Sequence, residues 1–166
     1  MTELSDRFAL PLLSAGQAQK ELYHNESLAL LDLLAHTAVV DHGIDTPPSM
    51  PSPGQCWIVG SAPTGAWAGH DGALAGWTGG GWRFIAARAG MTAWDIANGY
   101  WLHHDGSDWV EGVLPASSLN VGGVQVVGGQ IGAIANPAGG SFIDAEARAA
   151  VTLILNALRT HGLIAT

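Results

Sequence analysis

Gly72-Ala73-Leu74 followed by Thr78-Gly79-Gly80-Gly81-Trp82 recurs as Gly99-Tyr100-Trp101 followed by Asp105-Gly106-Ser107-Asp108-Trp109. The offset is 27 residues at both ends, from 72 to 99 and from 82 to 109. Each copy reads as a strand, a glycine-containing turn and a second strand with a Trp just past the turn. Short apolar runs bounded by Gly, Asp and Asn are strand signals, and a tight Gly-bearing turn between two of them is a hairpin signal. The repeat therefore predicts two successive β-hairpins of one small antiparallel sheet. Gln55-Cys56-Trp57-Ile58-Val59 and Trp82-Arg83-Phe84-Ile85 read the same way. Nothing between 54 and 114 is long and glycine-free enough for a helix, so this zone is expected to be wholly β.

Working outward, the flanks change character. Residues 1–45 read as helical. Leu28, Leu31, Leu34 and Ala38 recur at three to four residues, the helical period, and Ala18 and Leu22 begin the stripe. Ser14 and Gln17 have capping-box spacing. The helix is expected near 15–38, and four prolines between Thr46 and Pro53 close the region. On the other side, Val121 to Ile134 alternates apolar residues with Gly, which suggests one or two strands. A C-terminal helix near 145–161 follows, with Asp144 as N-cap and Gly162 as the left-handed residue past its end. Ala147, Val151, Ile154 and Leu158 fall at heptad-like spacing and form a candidate oligomer seam. The expected fold class is α+β: an N-terminal helix, a small antiparallel β unit of hairpins and a C-terminal helix. The expected organisation is an N-terminal helical segment at 1–45, a Trp/Gly-rich antiparallel β domain at 46–114, and a glycine-rich strand segment with the terminal helix at 115–166.

Composition narrows the function. Only 12% of the 166 residues are charged, Lys and Arg total 6, and the formal charge is −8. A surface this poor in charge favours burial in an assembly. The scattered cations cannot release counterions from a phosphate backbone as a cluster would, so nucleic acid is not an expected partner. No apolar run has membrane-spanning length, and the acidic start, Met-Thr-Glu-Leu-Ser-Asp, lacks the basic region of a signal peptide. Membrane insertion is not expected, and synthesis in the cytoplasm without a signal peptide is. Cys56 is the single cysteine and reads as a buried, inert thiol.

No P-loop, dinucleotide fingerprint or nucleophile elbow is present. His103 and His104, as strand neighbours, point to opposite faces and cannot share an ion, so no metal and no cofactor is expected, and no catalytic residues are assigned. The aromatic residues are the stronger signal. Seven Trp residues, with Tyr100, crowd a small β zone. Trp82 and Trp109, matched by the repeat, are expected in the core. Trp67, Trp77 and Tyr100 lie beside Gly or at turns and are expected to be exposed, with His70 and His104 beside them. These five are the candidate contacts for a glycan or a protein partner, since flat aromatics suit sugar rings and subunit interfaces alike.

Three further stretches carry a resemblance. Leu10-Pro11-Leu12-Leu13-Ser14-Ala15-Gly16-Gln17-Ala18-Gln19-Lys20, with His24-Asn25-Glu26-Ser27-Leu28 and Leu31-Asp32, is one. Pro53-Gly54-Gln55, Trp57-Ile58-Val59, Thr64-Gly65-Ala66-Trp67-Ala68-Gly69 and Gly81-Trp82-Arg83-Phe84 form the second. Ile143 to Ala150 with Leu158 to Ile164 is the third. Together they resemble a family of unknown-function proteins encoded among the structural genes of alphaproteobacterial prophages and gene transfer agents. The resemblance implies a place in the particle, as a head-spike or tail-fibre type of protein, and allows binding of host surface polysaccharide. It assigns no catalytic residue. Many similar proteins continue into long fibre regions, whereas this sequence stops at Thr166, which suits a base or short spike. The expected role is therefore a non-enzymatic, homo-oligomeric structural subunit of a phage-like particle that helps attach it to a host. Its expected partners are itself and other spike, fibre or capsid proteins. The competing role is a stand-alone glycan-binding module. A small polysaccharide hydrolase has no specific sequence support.

Overall fold

On leaving its first helix the chain feeds two different sheets within seven residues. A computed structural model describes residues 3–13, 16, 20–142 and 144–166. Helix α1 spans Lys20–Leu34, and strands β1 (Ala38–Val39) and β2 (Asp41–Ile44) follow. Then come β3 (Cys56–Val59), a 3-10 turn at Gly65–Trp67, β4 (Leu74–Thr78), β5 (Gly81–Ile85), β6 (Thr92–Asp95), β7 (Tyr100–His104) and β8 (Trp109–Glu111). The first sheet has the order β2-β3-β4-β5 and the second β1-β6-β7-β8. β2 pairs with β3 and β1 with β6 in parallel, and every other pairing in these two sheets is antiparallel.

The fold is α+β, with a helix at each end of a set of hairpins. The 27-residue repeat is real: it carries β4 onto β7 and β5 onto β8. Two expectations need correction. The two hairpins belong to separate sheets, and each sheet is completed by a parallel strand from residues 38–44. That segment, expected to be helical, is extended. Its Ala-Val-Val run is β-prone, and alternation sends Val39 into the core between the sheets while Val40 packs on the first sheet's other face.

Two apolar cores result. Leu33, Val39, Cys56, Ile58, Leu74, Ala93 and Leu102 fill the space shared by α1 and both sheets. Leu33 enters over Gly76, where an added Cβ would stand 2.5 Å from its methyls, so the missing side chain is what admits the helix. The opposite face of the first sheet is covered by Trp57, Trp67, Trp77, Trp82 and Phe84. Their rings meet edge to face, Trp67 to Trp82 at 5.2 Å and Trp77 to Trp82 at 5.0 Å. Each such pair adds about 0.5–1.5 kcal/mol beyond the area it buries.

Helix α1 ends at Leu34, earlier than the expected 38. Its carbonyl end is closed by a distant residue. The Arg7 guanidinium donates to the carbonyl oxygens of Asp32, Leu33, Ala35 and His36 at 2.8–3.0 Å. In return the buried Asp32 carboxylate accepts from the backbone N–H groups of Arg7 and Phe8. The expected capping pair Ser14 and Gln17 lies outside the described residues.

The chain divides into two compact units, Met1–Leu114 and Pro115–Thr166. The second contains β9 (Leu119–Val121) and β10 (Val124–Val127), an antiparallel hairpin, and α2 (Ala145–Thr160). The hairpin turns through Gly122 and Gly123, both at positive φ, as a two-residue turn matched to strand twist requires. At α2 the sequence rules hold. Asp144 accepts from the Ala147 N–H at 2.8 Å. Gly162 (φ +71°) sends its N–H to Arg159, and Leu163 sends its N–H to Leu158. These are the paired bonds of a Schellman ending.

Candidate functional site

The five sequence-selected residues separate. Trp67 is fully buried, which corrects the expectation that it is exposed. The 3-10 turn folds the indole back between Trp57 and Trp82, so a sugar or partner cannot reach it. Trp77 is half-buried in the same cluster. Tyr100 is half-buried on the inner face of the second sheet, and its hydroxyl donates to Glu111 Oε2 at 3.0 Å. His104 is buried, which also departs from the expected exposure, and its Nδ1 accepts from the Gly106 N–H. His70 is half-buried and stacked flat on Phe84 at 3.6 Å.

The structure does bring His70 and His104 together. Both line an open groove with Gly72, Phe84, Ala87 and Ser107. The groove continues past Asp71 and His104 to His42, Asp108, Trp109 and Glu111 at the seam of the sheets. A larger hollow lies between the N-terminal segment, α1 and the β4–β5 turn. The cation on its wall, Arg83, is held by Glu26 at 2.7 Å, and the rest of the wall mixes leucines with the carboxylates of Glu3, Asp6 and Asp32.

At the seam sits a cluster of ionisable residues that shift one another's pKa, which the sequence reading missed. His42 on β2 puts Nδ1 2.5 Å from Asp95 Oδ2, on β6, and Nε2 3.2 Å from Glu111 Oε1, on β8. One imidazole thus bridges the two sheets. Burial disfavours its charged form, but the hydrogen bonds to Glu111 and Asp95, with their negative charges, outweigh burial and raise its pKa. Asp95 is fully buried. Burial alone would raise its pKa, but the Asn98 backbone and side-chain donors and His42 carry it below the usual carboxylate range. Glu111 is lowered by His42 first and Tyr100 second. Both ring nitrogens face carboxylates, so the arrangement holds an imidazolium. Asp41, His42 and Asp95 also bring ligand-type atoms within 4.8 Å of one another. Asp95 already spends its oxygens on His42 and Asn98, and a metal would have to displace the proton that binds His42 to it. No local signal in sequence joins residues 42, 95 and 111.

Cys56 is buried, and burial pushes its thiol up to about 11, far from the range of a reactive thiolate.

The solvent-facing aromatics are a different pair. Alternation along β6 and β7 sends Ala93, Asp95, Leu102 and His104 inward. Thr92, Trp94, Trp101 and His103 go outward. Trp94 and Trp101 are direct cross-strand partners, 36% and 41% exposed, with rings edge to face at 5.3 Å. The alternation Thr-Ala-Trp-Asp was available in the sequence. Turn proximity was the weaker guide.

In the second unit the candidate seam is largely open. Ala147, Val151 and Ile154 are exposed and Leu158 is half-buried, while Leu155 turns inward. Leu153, Phe142, Val121, Val124 and Ile131 are also exposed.

Residues 24–110, just over half of the chain, match the model of a family described as a protein of unknown function. The match covers most of α1 and of the two sheets and ends before the second unit. No curated protein matches the chain.

Proposed function

The chain belongs to the DUF2793 family of unknown function, and on that premise we propose that it is a structural subunit of a phage or gene transfer agent particle. It acts as a head spike or fibre base that helps fasten the particle to the host surface, and it works as a homo-oligomer without catalysis. The observation that carries this reading is the second unit. Its hairpin strands have every apolar side chain exposed, and its helix buries only Leu155 fully. A 52-residue unit with so little buried surface cannot offset its own ordering entropy. Packing against further copies or particle proteins supplies the missing burial. The acid–base residues point the same way: His42, Asp95, Glu111 and Tyr100 are bonded to one another rather than aimed at a reactant. The resemblance of the N-terminal and tail segments to prophage and gene transfer agent proteins supports the particle setting.

The test is direct. Particles are purified by density gradient from the native host carrying an epitope-tagged copy. The protein should band with DNA-filled particles, and deleting its gene should leave particles that attach poorly to cells. A protein found only in the soluble fraction, with attachment unchanged on deletion, overturns the reading and leaves a stand-alone glycan-binding module as the better account.

A further inference from the structure

The outer face of the second sheet lies opposite the core side. Its residues are Ala38 from β1, Thr92 and Trp94 from β6, Trp101 and His103 from β7 and Val110 from β8, in register across the strands. No Asp, Glu, Lys or Arg is among them. The two indoles hold each other edge to face, so little rotamer freedom is lost when something lies on them. His103 contributes a ring whose buried Nδ1 has no hydrogen-bond partner among the described residues. A buried polar atom left unpaired costs stability.

We propose that this face is a binding platform for a neutral saccharide, with Trp94 and Trp101 stacking on sugar rings and Thr92 and His103 hydrogen-bonding hydroxyls. Charge and area choose the occupant. The chain carries −8 overall, which repels acidic polysaccharide, and the uncharged face offers nothing to a charged partner. Strands of three to five residues at about 3.3 Å per residue and about 4.8 Å apart make a face of roughly 200 Å². That is about a quarter of the roughly 800 Å² that each partner commits to a stable protein interface, yet it is enough for two sugar rings side by side. Affinity per chain is weak, roughly millimolar, and becomes useful when many copies on one particle engage one polymer. The proposal deepens the attachment reading and rests on it for the source of the sugar, not for the binding itself.

The full-length protein is titrated with cellohexaose, maltohexaose and mannohexaose as neutral probes and with a galacturonate hexamer as the acidic one. Tryptophan fluorescence and NMR shift changes report binding. At least one neutral probe should bind, the acidic one at least tenfold more weakly. Trp94→Ala with Trp101→Ala should abolish the response with far-UV circular dichroism unchanged. Trp101→Phe, which keeps a stacking ring, should retain most of it and shows that any loss is not misfolding. The proposal is overturned if no neutral probe binds at 10 mM (about ten times a millimolar dissociation constant) or if binding survives the double alanine variant. It is likewise overturned if that variant changes the oligomeric mass, which marks the face as a subunit interface. Saccharide binding by a protein absent from particles sinks the attachment reading and keeps the platform. A particle-bound protein that binds none of the neutral probes does the reverse.

Discussion

His42 has 16% of its side chain exposed and sits between a fully buried carboxylate and one that is 59% exposed. Asp95 therefore dominates the bridge, since solvent screens Glu111. The imidazole's folded pKa is raised above its ordinary value of about 6.5. Its stabilising contribution is then fully present below about pH 6.5 and is lost as pH rises through the raised value. The two carboxylates are lowered. Their contribution is present above their ordinary values near 4 and is lost as pH falls through the lowered ones. The bridge is strongest between about pH 4.5 and 6.5. His42→Ala should lower the melting temperature most in that window, by several degrees for the roughly 1–3 kcal/mol that removing a partly buried partner costs. The gap should narrow toward pH 9. A gap that stays constant from pH 5 to 9 contradicts a charged bridge. Residue burial was partly legible in advance. Cys56 reads as buried from its apolar run. Trp67 did not read correctly, because a 3-10 turn, not a strand, decides where its indole goes. The His42 bridge joins residues 53 apart, a separation at which no periodicity carries information.

Elements were legible where their ends are local. The closing motif of α2 uses residues 158–163 alone, and its cap, Asp144, lies three residues from the N–H that donates to it. The end of α1 is set instead by Arg7, which precedes the helix and reaches carbonyls 25 to 29 residues on. No sequence rule for helix ends looks that far. The two-residue β1 was equally invisible, since its parallel partner β6 lies beyond four intervening strands. Arg7 satisfies four carbonyls at the negative end of the helix dipole, so it contributes more than a surface cation. Arg7→Ala should destabilise the protein by about 2–3 kcal/mol, read as a lower urea midpoint at unchanged slope. Arg7→Lys keeps the charge but not the fork of donors, and should recover less than half of the loss. Full recovery by Lys would reduce the contact to simple charge against dipole.

At the scale of the whole molecule the two units differ in what holds them. The first has two cores, a sheet covered on both faces and a helix seated over Gly76. The second has a hairpin, a helix and one fully buried leucine in that helix. Exposed apolar side chains over so much of a unit mark an interface in waiting. In the proposed homo-oligomer, the heptad-spaced Ala147, Val151, Ile154 and Leu158 are the stripe that helices from several copies would share. Closed symmetry is the usual outcome, but a seam of about three turns does not select three copies over five. Light scattering at micromolar concentration should give a multimer of the 17.1 kDa chain. Val151→Asp with Ile154→Asp places two unpaired charges in the seam, each costing a few kcal/mol if buried, and should return the mass to that of a monomer. Neither residue is buried within the chain, so the near-ultraviolet tryptophan signal, which arises wholly from the first unit, should not change. A wild-type protein that is monomeric at this concentration, or a double variant with undiminished mass, places the contact elsewhere and leaves the open face of α2 without a role in assembly.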